Sequence, residues 1–208
     1  MAELRLIMSD LSPYARKVRV LVREARREAE VEEVRVSTTA LATDPAILPF
    51  NPLGRIPALV RPDGPALVDS RLICRFLDAR WGAGLYPEAR LWEVQTLEAL
   101  AEGILDSALA MSYEMRLRPE ERRWPDWLDA QWAKVARTLD HVEDRWMGHL
   151  LAPFDMGQAA LACALGYLDL RHGVRGWREG RPLLAAWEAR AAARPSLAAT
   201  KPPGPPRS

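Results

Sequence analysis

The sequence is poor in the residues from which metal sites and disulfide frameworks are built. Its 208 residues include only two cysteines and three histidines, with no cluster among them, so we expect no bound metal. The 29 basic and 28 acidic residues leave a net charge of +1, which gives no electrostatic reason to bind nucleic acid or an anionic membrane. We therefore expect neither partner.

Long apolar runs are also missing. No stretch approaches the roughly 18 apolar residues of a membrane-spanning helix, and residues 1–5 do not begin a secretory signal peptide. Cys74 and Cys163 each lie among apolar residues at helical spacing, which is typical of buried thiols in a reducing compartment. These features predict a cytoplasmic globular protein.

The first part of the chain alternates strand-like and helix-like patterns. The order is βαβ followed by ββα, so we predict an α/β domain over residues 1–81. Its predicted elements are a strand at 3–8, a helix at 13–27, a strand in VEEVRVS, a loop or short helix near 44–49, two strand segments around the turn Pro62-Asp63-Gly64, and a helix at 70–81.

The second part has helical patterns and no strand signal. We predict helices at 89–117, 125–148, 155–171 and 181–193 in an all-helical domain that covers residues 89–200. Residues 201–208 contain four prolines, which cannot donate backbone hydrogen bonds, and are predicted to form an extended tail.

Ser12-Pro13-Tyr14-Ala15 has the outline of the glutaredoxin motif Cys-Pro-Tyr-Cys with both sulfurs missing. Serine is favoured as a helix cap and proline at the first helical position, so Ser12 can be an ordinary cap. The alternative is that its hydroxyl belongs to a binding site.

Two further segments could hold an extended peptide. In NPLGRIPAL, Pro57 lies at the entry to a strand, and a cis Ile-Pro bond there would leave the Ile56 amide and carbonyl free to pair with a ligand. Asp69 and Ser70 open a helix, whose N-terminus favours a carboxylate, while Asp69 could pair with an ammonium group. Taken alone, Asp69 and Ser70 can also be only a helix cap.

The motifs Ser-Pro-Tyr-x-Arg-Lys-Val-Arg, Asn-Pro-x-Gly-x-Ile-Pro-x-Leu and Asp-Ser, in this order and spacing, resemble the glutathione transferase superfamily. The resemblance covers nearly the whole chain and is closest to small bacterial members of the YibF type. It implies a thioredoxin-like N-terminal domain, an all-α C-terminal domain, glutathione as co-substrate and a homodimer that serves detoxification.

The resemblance also implies roles for individual residues. Ser12 would donate a hydrogen bond to the glutathione thiolate, which would attack a small, electrophilic, partly apolar substrate. The other implied site residues are Arg55, Ile56, Pro57, Asp69 and Ser70 for glutathione, Glu102 and Asp106 for contact with the partner subunit, and Met111, Tyr113 and Arg116 for the substrate pocket.

Two other functions remain open on this scaffold. One is a non-catalytic module that binds glutathione or another protein; the combination of Ser12, Asp69 and Ser70 favours the enzyme over it. The other is a glutathione-dependent thiol reductase, which the serine at position 12 disfavours.

Asp155 and Gln158 form an Asp-x-x-Gln capping box that we assign to folding.

Overall fold

The computed structural model describes residues 3–204. They divide into two compact units, residues 3–89 with 195–203, and residues 90–194 with 204. The first two residues of the predicted first domain, and residues 205–208 of the predicted tail, lie outside the described range. Residues 201–204 have no regular secondary structure.

The elements follow the predicted change from mixed to helical structure. In chain order they are β1 (Leu4–Met8), α1 (Pro13–Glu24), β2 (Val31–Arg35), β3 (Ala58–Val60), α2 (Ser70–Trp81), α3 (Leu91–Leu117), α4 (Pro125–Arg145), α5 (Met147–Leu150), α6 (Met156–His172), α7 (Pro182–Ala192) and α8 (Pro195–Ala199).

The sheet of the first unit has the order β2-β1-β3. β1 is parallel to β2, with Leu4 opposite Val31 and Met8 opposite Arg35, and antiparallel to β3. The predicted strand after the turn at 62–64 is wrong: it is reduced to a single bridge between Leu67 and Leu59. Pro65 lacks an N–H donor, and the chain caps α2 two residues after Leu67, so no room remains for a longer ladder.

The end of the helical region lies with the first unit and not, as predicted, with the second. The buried Arg16 guanidinium of α1 donates to the Leu197 carbonyl of α8 at 3.0 Å, and the Ser196 hydroxyl donates to the Glu24 carboxylate. The prediction that the helical domain runs to residue 200 missed these contacts because α8 continues the helical pattern of α7.

The core of the second unit is the contact between α3 and α6. Most of α6 is buried, including Cys163, as predicted. Gly157, in its first turn, permits the close approach, because a Cβ there would lie 2.8 Å from the Val94 carbonyl oxygen and 3.0 Å from Leu97 Cβ. Any larger side chain would push the two helices apart.

The predicted capping box at Asp155 is half correct. The Asp155 carboxylate accepts from the Gln158 N–H at 3.1 Å and so caps α6. The Gln158 side chain does not complete the box, because its amide group donates instead to the carbonyls of His149, Ala152 and Pro153 at 3.2–3.3 Å. Asp155 is fully buried and lies 2.9 Å from His149 Nε2, a position that supports its assignment to folding.

None of the helices in residues 3–204 is both long and apolar enough to cross a membrane.

The helix predicted for 13–27 ends earlier, at Glu24, and Arg26 then adopts a positive φ of 56°. The helix predicted for 125–148 is divided by Trp146 into α4 and α5.

Candidate active site

Ser12 stands at the N-terminus of α1, immediately after the loop that leaves β1. Its backbone is extended, and its Oγ accepts a hydrogen bond from the Ala15 N–H at 3.2 Å. The capping role predicted as one alternative is therefore real. It uses only an acceptor position of the hydroxyl, so the Ser12 proton stays available for donation to a ligand.

A second part of the site is the loop that leads into β3. The Ile56–Pro57 peptide bond is cis, as the sequence suggested. In the described part of the chain, no backbone hydrogen bond uses the Ile56 amide or carbonyl. The Ile56 side chain packs against the cluster formed by Ile7, Ile47 and Ala58. The half-buried Ile56 side chain thus anchors a backbone edge that can pair with an extended ligand.

Buried polar contacts fix this loop. Asn51 is buried; its side-chain amide donates to the Arg55 carbonyl at 2.7 Å, and its side-chain oxygen accepts from the Leu53 N–H at 3.1 Å. Gly54 has a φ of 64°, and a Cβ there would collide with Thr43. Asn51 belongs to the sequence motif NPLGRIPAL, but the motif alone does not reveal this bracing role.

The third part is the N-terminus of α2. The Asp69 carboxylate caps the helix by accepting from the Arg71 N–H at 3.0 Å, yet its side chain is 61% exposed. Burial raises the pKa of Asp69, but the Arg71 N–H bond and the Arg71 charge outweigh it and hold the pKa below its usual value. Ser70, the first residue of α2, is buried. Asp69 is thus an ionised, accessible group for a ligand ammonium.

Arg55 is exposed, so its side chain can reach a ligand from the same loop as Ile56.

The predicted residues of the second unit lie on α3. Met111, predicted for the substrate pocket, is fully buried as a core residue is, whereas Tyr113 is half-buried and Arg116 exposed. Of the two predicted partner-contact acids, Glu102 is buried and Asp106 is exposed.

Comparison with known proteins identifies the fold. Residues 11–80 match the glutathione S-transferase N-terminal domain, and residues 125–190 match the glutathione S-transferase C-terminal domain. The chain belongs to the glutathione S-transferase family. The superfamily predicted from the motifs is confirmed, as is the fold of an α/β thioredoxin-like domain followed by a helical domain.

Relatives match over nearly their whole length. The chain is 41% identical to a glutathione transferase family member from Pseudomonas fluorescens Pf-5 solved with bound glutathione, covering 96% of this chain and 99% of that one, with a TM-score of 0.94. A glutathione S-transferase from Methylobacillus flagellatus KT, solved with glutathione, is 35% identical over 96% and 100% of the chains, with a TM-score of 0.84. The "Uncharacterized GST-like protein YibF" of Escherichia coli K12 is 32% identical over 96% of this chain and 99% of its own.

This glutathione S-transferase family member also contains a buried polar network that sequence reasoning missed. Ser112 Oγ of α3 lies 3.1 Å from His172 Nε2 and accepts from the Tyr167 hydroxyl at 3.3 Å. The Ser112 hydroxyl itself donates to the Ala108 carbonyl at 2.9 Å, and His172 Nε2 lies 2.8 Å from the same oxygen. The partners are separated by 55 to 64 residues, so no local motif reveals them.

The network is structural, although it pairs a serine with a histidine. Ser112, Tyr167 and His172 are all buried, and the serine proton is engaged by a carbonyl one turn back. Burial lowers the pKa of His172 and raises that of Tyr167. Both groups are therefore neutral near pH 7, which suits a polar link between packed helices.

Proposed function

We propose that this chain is a glutathione transferase that activates the thiol of glutathione for attack on a small, electrophilic, partly apolar substrate. The observation that carries the proposal is the free backbone edge of Ile56 before Pro57, since an extended tripeptide can add to it as a strand does. The bound glutathione of the relatives from Pseudomonas fluorescens and Methylobacillus flagellatus supports the same co-substrate here.

Each end of glutathione has a matching group in the proposed site. The Ile56 amide and carbonyl pair with the cysteinyl unit, Asp69 with the γ-glutamyl ammonium, and the α2 N-terminus at Ser70 with the γ-glutamyl carboxylate. The exposed Arg55 approaches the glycyl carboxylate.

Ser12 works in this proposal by hydrogen bonding and not as a base. A free thiol has a pKa near ~8.5, and lowering it by about two units requires roughly 2.7 kcal/mol of preference for the anion. A hydrogen bond to a charged group supplies about 1.5–3 kcal/mol, and a helix N-terminus about 0.3–1 kcal/mol. The thiol proton passes to solvent, and the thiolate sulfur forms a bond to the electrophilic carbon as the leaving group departs with its electron pair.

Thiol reductase chemistry is disfavoured on this scaffold. It requires a protein thiolate beside the ligand sulfur, and position 12 is serine, while Cys74 and Cys163 are both buried in helices. The cap bond at Ser12 favours one second candidate, a module that binds glutathione without catalysis. Turnover with an electrophile separates the two.

The remaining parts of the proposal concern the second unit and the oligomeric state. We propose that Tyr113 and Arg116 of α3 contribute to the substrate pocket, while the buried Met111 belongs to the core of the second unit. We also propose a cytoplasmic homodimer, with the exposed Asp106 as the acid that contacts the partner's glutathione and the buried Glu102 supporting the helix.

The decisive experiment replaces Ser12 by both alanine and glycine. Losing the hydrogen bond to the thiolate, worth about 1.5–3 kcal/mol, should lower kcat/KM with an electrophile by roughly 10- to 100-fold in both variants. Calorimetry should find glutathione affinity nearly unchanged, because the bond matters most when sulfur is charged.

The two variants separate catalysis from capping. Replacing a serine cap by alanine costs about 1 kcal/mol of stability, but replacing it by glycine only a few tenths. We therefore expect S12A to melt at a lower temperature than S12G although both lose activity equally. Full activity in S12G with an unchanged pH profile would reduce Ser12 to a cap.

A further inference from the structure

The loop between β1 and α1, which ends at Ser12, takes part through Asp10 in an ion-pair network within the first unit. Two acidic and three basic side chains take part, and they come from the loop, α1 and β2. We call this set the loop brace; it consists of Asp10, Arg19, Arg23, Glu33 and Arg35.

Asp10 is the loop's own member of the brace. Its Oδ2 accepts from Arg35 Nε at 2.7 Å, and its Oδ1 lies 3.1 Å from Arg19 Nη1. The hydrogen bond from Arg35 holds the pKa of Asp10 below its usual value, with a smaller opposing effect of burial and further help from the Arg19 charge. The Asp10 carboxylate is thus bound on one side by Arg19 of α1 and on the other by Arg35 at the end of β2.

Glu33 of β2 is the second acidic member of the loop brace and pairs with two arginines of α1. It accepts from Arg19 Nε at 2.9 Å and from Arg23 Nη1 at 3.1 Å. The Arg19 side chain is only 7% exposed, so its two ion pairs are screened less than surface pairs. One guanidinium therefore joins α1 to β2 and to the loop at a single point.

Backbone hydrogen bonds also hold Ser12. Its N–H donates to the Ser9 carbonyl at 3.1 Å, and its carbonyl accepts from the Arg16 N–H of α1 at 2.9 Å. Within the loop, the Leu11 N–H reaches Ser9 Oγ at 3.4 Å. The cap bond from Ala15 N–H to Ser12 Oγ measures 3.2 Å. The bonds within the loop and the cap bond to the Ser12 hydroxyl are thus longer than the usual 2.9–3.0 Å of N–H···O bonds, whereas the Asp10–Arg35 bond is short and charge-assisted.

We propose that Asp10 is a positioning residue for Ser12, holding the hydroxyl at the α1 N-terminus in line with the ligand sulfur through Arg19 and Arg35. The catalytic consequence rests on the proposed glutathione transferase function; the structural consequence does not. Asp10 itself touches no substrate in this proposal.

The matched test is D10N with D63N as its control. An asparagine side chain at position 10 offers one acceptor and one donor where the carboxylate offers two acceptors, so one arginine must face a donor. Asp63 is a carboxylate of the same unit, ion-paired with Arg61 at 3.4 Å and distant in sequence from the loop. Each variant removes one paired charge from the first unit.

The first readout is amide hydrogen exchange without any ligand. We expect the N–H groups of Ser12 and Ala15 to exchange about tenfold faster in D10N than in the natural protein, and to be unchanged in D63N. S12A sets the upper limit for Ala15, since it removes the acceptor. Unchanged exchange of both amides in D10N would overturn the proposal, whether or not the protein binds glutathione.

The second readout is the pKa of bound glutathione, from the ultraviolet absorbance of its thiolate. A displaced Ser12 should raise that pKa by about one unit; at a pH below both pKa values, kcat should then fall by about tenfold at unchanged glutathione affinity. If Asp10 acted only by its charge, D10N would leave Arg19 and Arg35 unbalanced and lower the thiol pKa. A lowered or unchanged pKa would therefore overturn the positioning role.

The two readouts distinguish failure of this inference from failure of the proposed function. A natural protein that binds no glutathione would contradict the function and leave the exchange measurement to decide on Asp10. A natural protein that binds and turns over glutathione, with normal exchange in D10N, would contradict only the role of Asp10.

Discussion

At the scale of single residues, Asp69 and Ser70 are neighbours with opposite surroundings. Asp69 is largely exposed, and its pKa is held low, so it is ionised and accessible at neutral pH. Ser70 is buried in the first turn of α2. One is suited to contact a ligand and the other to hold the helix.

These surroundings predict different effects for D69N and S70A. Asparagine caps helices as well as aspartate, so D69N should keep its melting temperature but lose about tenfold in glutathione affinity as the ammonium loses its counter-charge. S70A should lower the melting temperature more than the affinity. Calorimetry and thermal unfolding of both variants would check this, and intact affinity in D69N would contradict the assignment of Asp69.

Much of the candidate site could be predicted at this scale because its signals are local. Ser12 precedes a proline at a helix start, and Pro57 stands at the entry to a strand, so each position follows from backbone chemistry within a few residues. The burial of Ser70 and Glu102 could not be predicted, since it depends on which helix face meets the rest of the fold.

At the scale of elements, the contact between α3 and α6 contains a titratable group. Burial, with the charges of Arg175 and Arg171, lowers the pKa of His172 below the ordinary 6.5, although its bond to the Ala108 carbonyl opposes the shift. Below pH 6.5 the unfolded chain therefore binds more protons than the native protein. Stability should fall as the pH decreases from 6.5 towards the native pKa of His172.

The variant H172Q tests this effect. We expect the free energy of unfolding of the natural protein to decrease by up to about 1.4 kcal/mol per pH unit below 6.5 from this group. H172Q, which stays neutral and can still donate to Ala108, should lack that slope.

The pKa values of Asp10 and Glu33 are also lowered, so their stabilisation is lost only below their ordinary values of 3.8 and 4.5. Denaturant unfolding between pH 5 and 7.5 separates the contributions, and equal slopes would contradict the role of His172.

Helix positions were predictable where proline or a cap sets a boundary, as at Pro13, Asp69, Pro125 and Asp155. Two features were not. The strand around Leu67 shortens to a bridge because the next cap follows too soon, and the polar network of Ser112, Tyr167 and His172 depends on the rotation of two helices. Contacts between distant segments are not encoded in local periodicity.

At the scale of the whole molecule, the proposed homodimer has an exposed anchor. Trp92, in the first turn of α3, is 75% exposed, and large exposed aromatic side chains are enriched in interfaces. α3 also carries the exposed Asp106.

We therefore expect sedimentation at micromolar concentration to give twice the chain mass of 23.3 kDa. W92K should shift the protein towards the monomer. W124K is the matched control, because Trp124 is 61% exposed in the same unit but lies outside α3. A natural protein found only at the monomer mass would contradict the dimer.

The return of residues 195–203 to the first unit has a consequence for synthesis on the ribosome. Residues 3–89 are translated first, but the carbonyl of Leu197 that receives the buried Arg16 guanidinium emerges only after residues 90–194 have been made. While the second unit is being translated, α1 of the first unit lacks its contact with α8, and Arg16 lacks the Leu197 carbonyl as acceptor. The first unit is therefore the first to be translated and the last to have all of its residues available for folding.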